Sequence, residues 1–192
     1  ETAAALASNR SGALRSMLLE GLRGTDARVA NDEPVSPAFL FALLLWPAYC
    51  RALIGLQAGG MNAEEAQRRA ADRVTLHQLA TVALPRRFSL PMQEIWLLQS
   101  RFSSRQRKRV MRLLAHPRFR AAYDFLLLRL TASSEHAEDV AFWREAQTQS
   151  GDELSATLAS TASTGSHEAD DEAPAKRRRR RRRPASASPS AE

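Results

Sequence analysis

Apolar residues recur through the first 149 positions at the three- and four-residue spacing of amphipathic helices, and no β-hairpin signal interrupts them. Leu14, Leu18 and Leu22 share one helical face and predict a first helix over residues 11–22, with Gly24 as its stop. The stretch TDARVANDEPVSP that follows carries turn-forming residues and predicts a loop.

A strongly apolar segment, FLFALLLWPAY at residues 39–49, predicts the next helix. Ser36 followed by Pro37 forms an N-cap and N1 pair at its start, and the AGG sequence at residues 58–60 marks its end. Pro47 is predicted to kink this helix or to end its first half. The segment has 11 apolar residues against the roughly 20 that span a bilayer, so we expect a buried core helix.

Capping residues and prolines mark the elements that follow. Asn62 and Glu65 resemble a capping box, and the helix that they open is expected to reach about Val82. Two prolines bound the sequence LPRRFSLP at residues 84–91 and predict a connector. A helix over residues 91–102 is predicted after it.

Three more signals complete the helical part of the chain. Ser103 with Gln106 predicts the start of another helix, which should end before Pro117. That proline can begin a further helix, and a last amphipathic helix covers residues 135–147. The apolar stripe of the helix after the proline consists of Phe119, Ala122, Tyr123, Leu126 and Leu130.

The composition changes after Gln149 to Ser, Thr, Ala and acidic residues, with too few large apolar side chains to offset the entropy of ordering. We therefore predict an all-α protein, a helical bundle followed by a disordered arginine-rich tail. The predicted divisions are residues 1–35 as the end of a preceding neck-like helical region, residues 36–149 as a helical domain, and residues 150–192 as an acidic and then arginine-rich tail.

The net charge of +7 hides a strong segregation of charge along the chain. Residues 1–82 are neutral overall, whereas residues 83–130 carry eleven basic and two acidic side chains. Residues 131–175 carry one basic and ten acidic side chains, and residues 176–192 are again strongly basic. Two basic blocks that flank an acidic one indicate a polyanionic partner more than the average charge does.

The first basic block contains a predicted helix with a cationic face, in the sequence RQRKRVMRLL. Four cations with spacing i, i+3, i+4 and i+7 are predicted to share this face: Arg105, Lys108, Arg109 and Arg112. Apolar side chains at positions 110, 113 and 114 fall on the opposite side. No acidic residue stands between Arg101 and Asp124 to relieve the repulsion, so a polyanion site is favoured over a solvated face or a localisation signal.

Other side chains near this helix are candidates for the same surface. Five further arginines could extend it along a phosphate backbone without reading sequence: Arg86, Arg87, Arg101, Arg118 and Arg120. Four aromatic side chains interleave with the charges and could stack on bases: Trp96, Phe102, Phe119 and Tyr123. The helical spacing of these rings favours packing in the core instead.

The sequence contains no constellation of residues typical of catalysis. Its four histidines lie far apart and form no metal-ligand pair on one helix. Phosphate-binding loops, hydrolase elbows and zinc motifs are missing, so neither a metal nor a cofactor is predicted for this chain. The single Cys50 excludes an internal disulfide and favours a reducing, cytoplasmic location, and its apolar helix predicts an inert thiol.

Four stretches of the sequence are distinctive. They are PAFLFALLLWP at residues 37–47, LPRRFSLPMQEIWLLQSRF at residues 84–102, RQRKRVMRLLAHPRFRAAYDFLLLR at residues 105–129, and FW at residues 142–143 before an arginine-rich tail. Together they make the chain resemble the C-terminal part of bacterial poly(A) polymerases, relatives of the tRNA CCA-adding enzymes in the nucleotidyltransferase superfamily. The third stretch is the most specific, because it is long and not of low complexity.

The resemblance implies a role in RNA polyadenylation and hence in mRNA processing. Enzymes of this family have a catalytic head with metal-binding carboxylates and ATP recognition, followed by helical domains that bind RNA, and this chain resembles only the latter. ATP and Mg²⁺ are therefore expected for a head outside this chain, which begins with Glu1 rather than Met. No catalytic residue is assigned here, and the RNA-binding role falls on the basic residues of PRR and RQRKR.

The partner implied by the resemblance is RNA, bound at single-stranded 3′ ends with weak sequence preference. RNA-decay proteins are further candidates for the basic surface, and no membrane is expected. Two alternatives stay open: the RNA-binding part of a tRNA CCA-adding enzyme, and a basic protein-interaction module. The arginine-rich tail favours the poly(A) enzyme over the CCA-adding one.

The arginine run near the end of the chain has three interpretations. It could be a second, non-specific RNA contact whose tether raises its effective concentration, a mimic of a nuclear localisation signal, or a solubilising end shaped by codon usage. The first is favoured. Its members are Lys176, Arg177, Arg178, Arg179, Arg180, Arg181, Arg182 and Arg183.

Overall fold

The computed structural model describes residues 12–80, 84–149, 151, 153–154 and 156–158. Two 3₁₀ turns, Gln99–Arg101 and Ser134–His136, follow the fourth and sixth helices. No strand occurs in the part described, which confirms the predicted all-α class. The seven α-helices between residues 12 and 149 are α1 Ala13–Ala30, α2 Pro37–Ala58, α3 Ala63–Leu79, α4 Arg86–Leu98, α5 Arg107–Leu114, α6 Phe119–Ala132 and α7 Ala137–Ala146.

The first hydrophobic cluster forms around α2, which packs against both α3 and α4. Three aromatic rings stack in series within it: Trp46 and Tyr49 have centroids 5.1 Å apart, and Tyr49 and Trp96 have centroids 4.9 Å apart. The indole Nε1 of Trp96 donates a hydrogen bond of 3.0 Å to the Ala42 carbonyl, so burial of the ring leaves its polar atom paired. This cluster fixes the position of α4.

The second hydrophobic cluster forms among α5, α6, α7 and the connection that precedes α5. Trp143 lies fully buried at its centre, with ring centroids 5.3 Å from Phe102 and 5.7 Å from Phe119. Its Nε1 donates a hydrogen bond of 2.7 Å to the Phe102 carbonyl. The α4–α5 connection is thereby attached to α7.

Helix α6 joins the two clusters. Phe125 packs in the first cluster, with its ring centroid 5.1 Å from that of Trp46, whereas Tyr123 and Leu126 pack in the second. The predicted apolar stripe of this helix is confirmed, with its first four members buried and Leu130 half-buried. Because α6 contacts both clusters, α4 and α5 are held on one framework.

The packed core extends beyond the predicted limits of the bundle. Met17 and Leu18 of α1 lie in the first cluster, and α1 packs against α6. Leu154 and Leu158 are buried in the second cluster, although the bundle is predicted to end near Gln149. The i,i+4 spacing of these two leucines is the helical signal that the polar composition of the segment concealed.

Helix α1 is longer than predicted, because it continues through Gly24 to Ala30. A glycine inside an exposed helical turn costs only about 1 kcal/mol, which packing of the helix can offset. The chain reverses instead at Asp32, whose φ of 54° is left-handed, and the Glu33 N–H donates to the Arg28 carbonyl at 2.8 Å. The predicted loop is correspondingly shorter.

Two prolines lie inside helices: Pro47, which was predicted to kink its helix or to end the first half, and Pro91, which was predicted to begin one. Pro47 does not end α2, which runs for 22 residues, and Pro91 lies inside α4, which begins at Arg86. Each proline removes one helical hydrogen bond, but most helical stability comes from tertiary packing, and α2 packs on both α3 and α4. The predicted connector over residues 84–91 is therefore wrong, and Arg86 and Arg87 lie in the first turn of α4.

The capping signals of α2 and α3 are confirmed. The Ser36 Oγ accepts a hydrogen bond of 3.4 Å from the Phe39 N–H, and the Asn62 Oδ1 accepts one of 2.9 Å from the Glu65 N–H. The structure has α3 ending at Leu79, and residues 81–83 lie outside the described part. The start of α3 is thus fixed by its own sequence.

Helix α2 is the one helix in the described residues that is long and apolar enough to cross a membrane, by length and composition. The core helix of a soluble protein passes the same test. Here α2 packs against α3 and α4, and Ala42, Leu43 and Trp46 are buried in the first cluster.

Candidate nucleic-acid interface

An open groove lies where the first turn of α3, the end of α4 and helix α5 meet. Its volume of about 690 Å³ is in the roughly 300–1,000 Å³ range of small-molecule binding sites. We call it the cationic groove. Its lining residues are Ala63, Glu64, Gln67, Arg68, Leu97, Ser100, Arg101, Ser103, Ser104, Arg109, Arg112 and Leu113.

Four guanidinium groups line the cationic groove from three different elements. Arg68 belongs to α3, Arg101 ends the 3₁₀ turn after α4, and Arg109 and Arg112 lie one turn apart on α5. All four side chains are exposed, and the last three make no ion pair with any residue that the structure describes. Since arginine stays protonated in proteins, the groove holds a permanent positive charge.

Serine side chains organise the segment between α4 and α5. The Ser100 Oγ lies 3.0 Å from the Gln67 Oε1, which ties the 3₁₀ turn to α3. The Ser103 Oγ donates a hydrogen bond of 3.1 Å to the Ser100 carbonyl. Hydroxyls are common partners of phosphate oxygens, but those of Ser100 and Ser103 already donate their single hydrogens within the protein. The Ser104 hydroxyl also lines the groove and donates to no residue that the structure describes, so it adds a polar donor to the cationic lining.

Arg68 differs from the other arginines of the groove because it has an acidic partner. Its Nη2 lies 3.1 Å from the Glu64 Oε1, one helical turn earlier, and both side chains line the groove. The adjacent pair, Arg69 and Glu65, has the same spacing at 2.9 Å but lies outside the lining. Two matched ion pairs on α3 therefore differ in whether they face the groove.

Arg105 does not join the cationic face of α5, contrary to the predicted pattern of four residues. Helix α5 begins at Arg107, so the first member of the pattern precedes the helix. The Arg105 Nη2 lies 2.6 Å from the Asp139 Oδ1, and its guanidinium stacks on the Phe142 ring at 4.2 Å from the centroid. Its Nη1 donates 2.7 Å to the Phe102 carbonyl, so Arg105 attaches the loop before α5 to α7.

Two other predicted cations are paired with acids. Arg118 Nε lies 3.2 Å from the Glu94 Oε2 on α4, and Arg120 Nε lies 3.1 Å from the Asp124 Oδ1 on the same helix. These pairs are exposed and so contribute little to stability. Glu94, 24 residues before Arg118, relieves part of the repulsion that the local sequence leaves uncompensated, whereas Asp124 is a local partner one helical turn after Arg120.

Three further predicted cations, like Arg105, Arg118 and Arg120, lie outside the lining of the groove. Arg86 and Arg87 are exposed in the first turn of α4, and the Arg87 guanidinium lies 4.8 Å from the Phe88 ring centroid. Lys108 is exposed on α5 between Arg107 and Arg109. The structure therefore brings Arg101, Arg109 and Arg112 together from the predicted set and leaves the others apart from them.

The aromatic side chains proposed as base-stacking platforms all lie in the core. Phe102, Trp96, Tyr123 and Phe119 are 0%, 1%, 5% and 8% exposed. The rings of Phe102, Phe119 and Tyr123 pack against one another in the second cluster, and Trp96 stacks on Tyr49 in the first. The favoured interpretation from the helical spacing is confirmed. The groove consequently offers charge and hydroxyls, and base stacking on these four rings is excluded.

A buried polar cluster lies between α2, α4 and α6. The Arg129 Nη1 donates 3.3 Å to the Gln99 Oε1, and its guanidinium lies 5.3 Å from the Trp46 ring centroid. Burial lowers the pKa of Arg129 and raises the pKa of the Cys50 thiol to about 12, so the thiol stays protonated at neutral pH. This environment supports the predicted inert role of Cys50.

The described residues contain no group of three or more His, Cys, Asp or Glu side chains that could hold a metal ion. The His116 Nδ1 accepts a hydrogen bond of 3.1 Å from the Arg118 N–H, a local contact in the turn that precedes α6. Burial and the charge of Arg129 lower the pKa of His136. His167 and the arginine run from Lys176 lie outside the described residues.

Sequence reasoning missed Arg68 and the three serines. Arg68 follows Glu64 by four residues on α3, which is the ordinary signature of a solvated helical face. Only the packing of α3 against the end of α4 brings this residue into the groove that α5 also lines. The serines stand beside Arg101 in the sequence, and their proximity to the basic block was the available signal.

Comparison with known proteins identifies the family to which the sequence is similar. The family described as "Polymerase A arginine-rich C-terminus" matches residues 59–184. Poly(A) polymerase I of Escherichia coli O6:H1 is 40% identical over 129 residues, which are 66% of this chain and 28% of that protein. The Salmonella typhi enzyme of the same name is 38% identical over 122 residues, 63% of this chain and 26% of that protein.

A third relative, at lower identity, also matches most of this chain and a smaller part of its own length. Poly(A) polymerase I of Haemophilus influenzae is 33% identical over 139 residues, which are 71% of this chain and 31% of that protein. The chain thus spans between a quarter and a third of the length of these relatives. With the family match covering about two thirds of its residues, this chain belongs to the family of arginine-rich C-terminal regions of bacterial poly(A) polymerases.

Proposed function

We propose that this chain is an RNA-binding module that holds the RNA substrate during ATP-dependent 3′-polyadenylation. The cationic groove is the observation that carries the proposal, because Arg101, Arg109 and Arg112 converge there without an ion pair to any described acid. Such a site suits a phosphate backbone, which is recognised by arginine and by hydroxyl donors without sequence reading. The polyadenylation step in this proposal is inferred from the relatives, which are named poly(A) polymerase I.

The chemistry of adenylate transfer belongs, in this proposal, to a head domain outside the chain. That head would bind ATP and Mg²⁺ and carry the catalytic carboxylates. The module would contribute substrate retention, since a tethered binding site raises the local concentration of the RNA 3′ end at the head. A cytoplasmic location and contacts with RNA-decay proteins through the same basic surface are part of the proposal.

We expect this chain to bind a fluorescent single-stranded oligo(A) with a Kd of about micromolar and with no adenylation of the oligomer. Affinity should decrease steeply with salt. Each phosphate that the protein neutralises contributes about −0.7 to the slope of log affinity against log salt concentration. Fluorescence anisotropy across a salt series measures both quantities. A salt-independent affinity, or no binding at low salt, would rule out the proposed function.

The basic protein-interaction alternative makes a different prediction in the same assay. If the ligand of the groove is an acidic protein, that protein would compete with oligo(A) for the groove. The RNA proposal instead requires that the chain bind oligo(A) when no other protein is present. A CCA-adding role predicts that the parent enzyme uses CTP as well as ATP, and a nucleotide-incorporation assay on that enzyme separates the two activities.

A further inference from the structure

We propose that the cationic groove is a two-sided clamp for the phosphate backbone of a single strand, with Arg68 on the wall opposite α5. This inference rests on the proposed RNA binding and adds a residue and a geometry to it. Arg68 comes from α3, whereas Arg109 and Arg112 come from α5, and all three line one concavity. A strand in the groove is therefore contacted by guanidinium groups from both sides.

The shape of the groove favours a single strand over a duplex. Its volume of about 690 Å³ is that of a site for one or two nucleotides, by comparison with pockets for drug-sized ligands. The convex phosphate rows of a duplex meet the rim of a groove, whereas an extended strand can enter it. Because arginine forms paired hydrogen bonds to phosphate oxygens, Arg68, Arg109 and Arg112 suit a backbone that lies between them.

Glu64 competes with an entering phosphate for the Arg68 guanidinium on the wall opposite α5. In the structure it holds the Arg68 guanidinium at 3.1 Å, and its own carboxylate lines the groove. A phosphate that enters must compete with this carboxylate for Arg68 and approach a negative charge. The pair is exposed, with side-chain exposures of 60% and 81%, so the competition costs the ligand only a modest factor in affinity. Glu64 thus opposes binding, and Arg68 promotes it.

The test compares the two matched ion pairs of α3 in oligo(A) binding by the full chain. We expect Arg68→Gln to weaken binding about fivefold at ~0.1 M salt and to flatten the salt slope by about 0.7. We expect Glu64→Gln to strengthen binding by about twofold. The controls Arg69→Gln and Glu65→Gln change the same charges outside the groove, and Gln at position 65 preserves the capping box.

Each outcome of this comparison decides something. If the chain binds oligo(A) but Arg68→Gln behaves as Arg69→Gln does, the clamp is wrong and the proposed function stands. If the unsubstituted chain does not bind, the proposed function itself fails.

Oligo(dA) and an RNA duplex complete the design. If Arg68→Gln lowers the affinity for oligo(A) and for oligo(dA) equally, phosphate is supported as the ligand of Arg68. If it lowers the affinity for oligo(A) alone, that assignment is overturned in favour of ribose. If Arg68→Gln lowers the affinity for the RNA duplex as much as that for oligo(A), the single-strand geometry is contradicted.

Discussion

Replacing Arg101, Arg109 and Arg112 together by glutamine is expected to flatten the salt slope of oligo(A) binding by about 2 and to weaken binding about 100-fold at ~0.1 M salt. The reason is the release of counterions from the RNA, which contributes about 0.7 to the slope of a single strand for each phosphate that the protein neutralises. The three side chains line one groove and have no described acid as partner, so each is available for a phosphate.

A charge-matched variant separates the groove from the overall charge. Arg23→Gln, Arg51→Gln and Arg144→Gln remove the same three charges from exposed positions outside the groove lining. This variant should bind oligo(A) within about threefold of the unsubstituted chain, because distant charges are screened beyond about 10 Å at 0.1 M salt. Equal losses in the two variants would mean that binding follows net charge and that the groove is not the site.

Trp143→Ala is expected to lower the free energy of unfolding by about 3–5 kcal/mol, the range for deletion of a fully buried tryptophan. The ring is 0% exposed and lies against Phe102 and Phe119 at the centre of the second cluster. Its loss leaves a cavity between α7 and the α4–α5 connection. Urea unfolding followed by circular dichroism measures the change, and an effect under about 1 kcal/mol would contradict the described packing.

Trp143→Phe provides the matched comparison. It keeps an aromatic ring but removes the hydrogen bond of 2.7 Å to the Phe102 carbonyl. That carbonyl also accepts a hydrogen bond from Arg105, so it does not become unsatisfied, and the missing bond should contribute about 1 kcal/mol. The smaller volume of the phenyl ring adds a cavity cost, and the total should stay below that of Trp143→Ala. Combining Trp143→Phe with Arg105→Gln should cost more than the sum of the two, because only the double variant leaves the carbonyl without either donor.

Short-range signals in the sequence were sufficient to predict much of the fold. The N-caps at Ser36 and Asn62 act through atoms within three residues, and the stripe on α6 follows from helical spacing alone. Helix bounds were predicted less well at Gly24 and Pro91, whereas α2 begins and ends where Ser36 and the AGG sequence predicted. A local penalty of one to a few kcal/mol at such a residue is offset by packing against other helices, which a single segment does not display.

The residues of the candidate site also divide into those that local sequence predicts and those that tertiary packing positions. The cluster of Arg101, Arg109 and Arg112 could be predicted, because the three lie within twelve residues and on adjacent elements. Arg105 could not be placed, since its partner Asp139 is 34 residues away and the helix begins two residues after it. Arg68 could not be found either, because its position opposite α5 depends on how α3 packs.

The arginine run is the main competitor of the groove for RNA, so the central claim is tested most directly without it. The measurement is the salt slope of oligo(A) binding by the full-length chain with Lys176→Gln and with all seven arginines of residues 177–183 changed to Gln. If the groove holds the RNA backbone through its four arginines, this chain should retain a slope of about −3. A slope near zero would contradict the account, because it would assign RNA binding to the run alone.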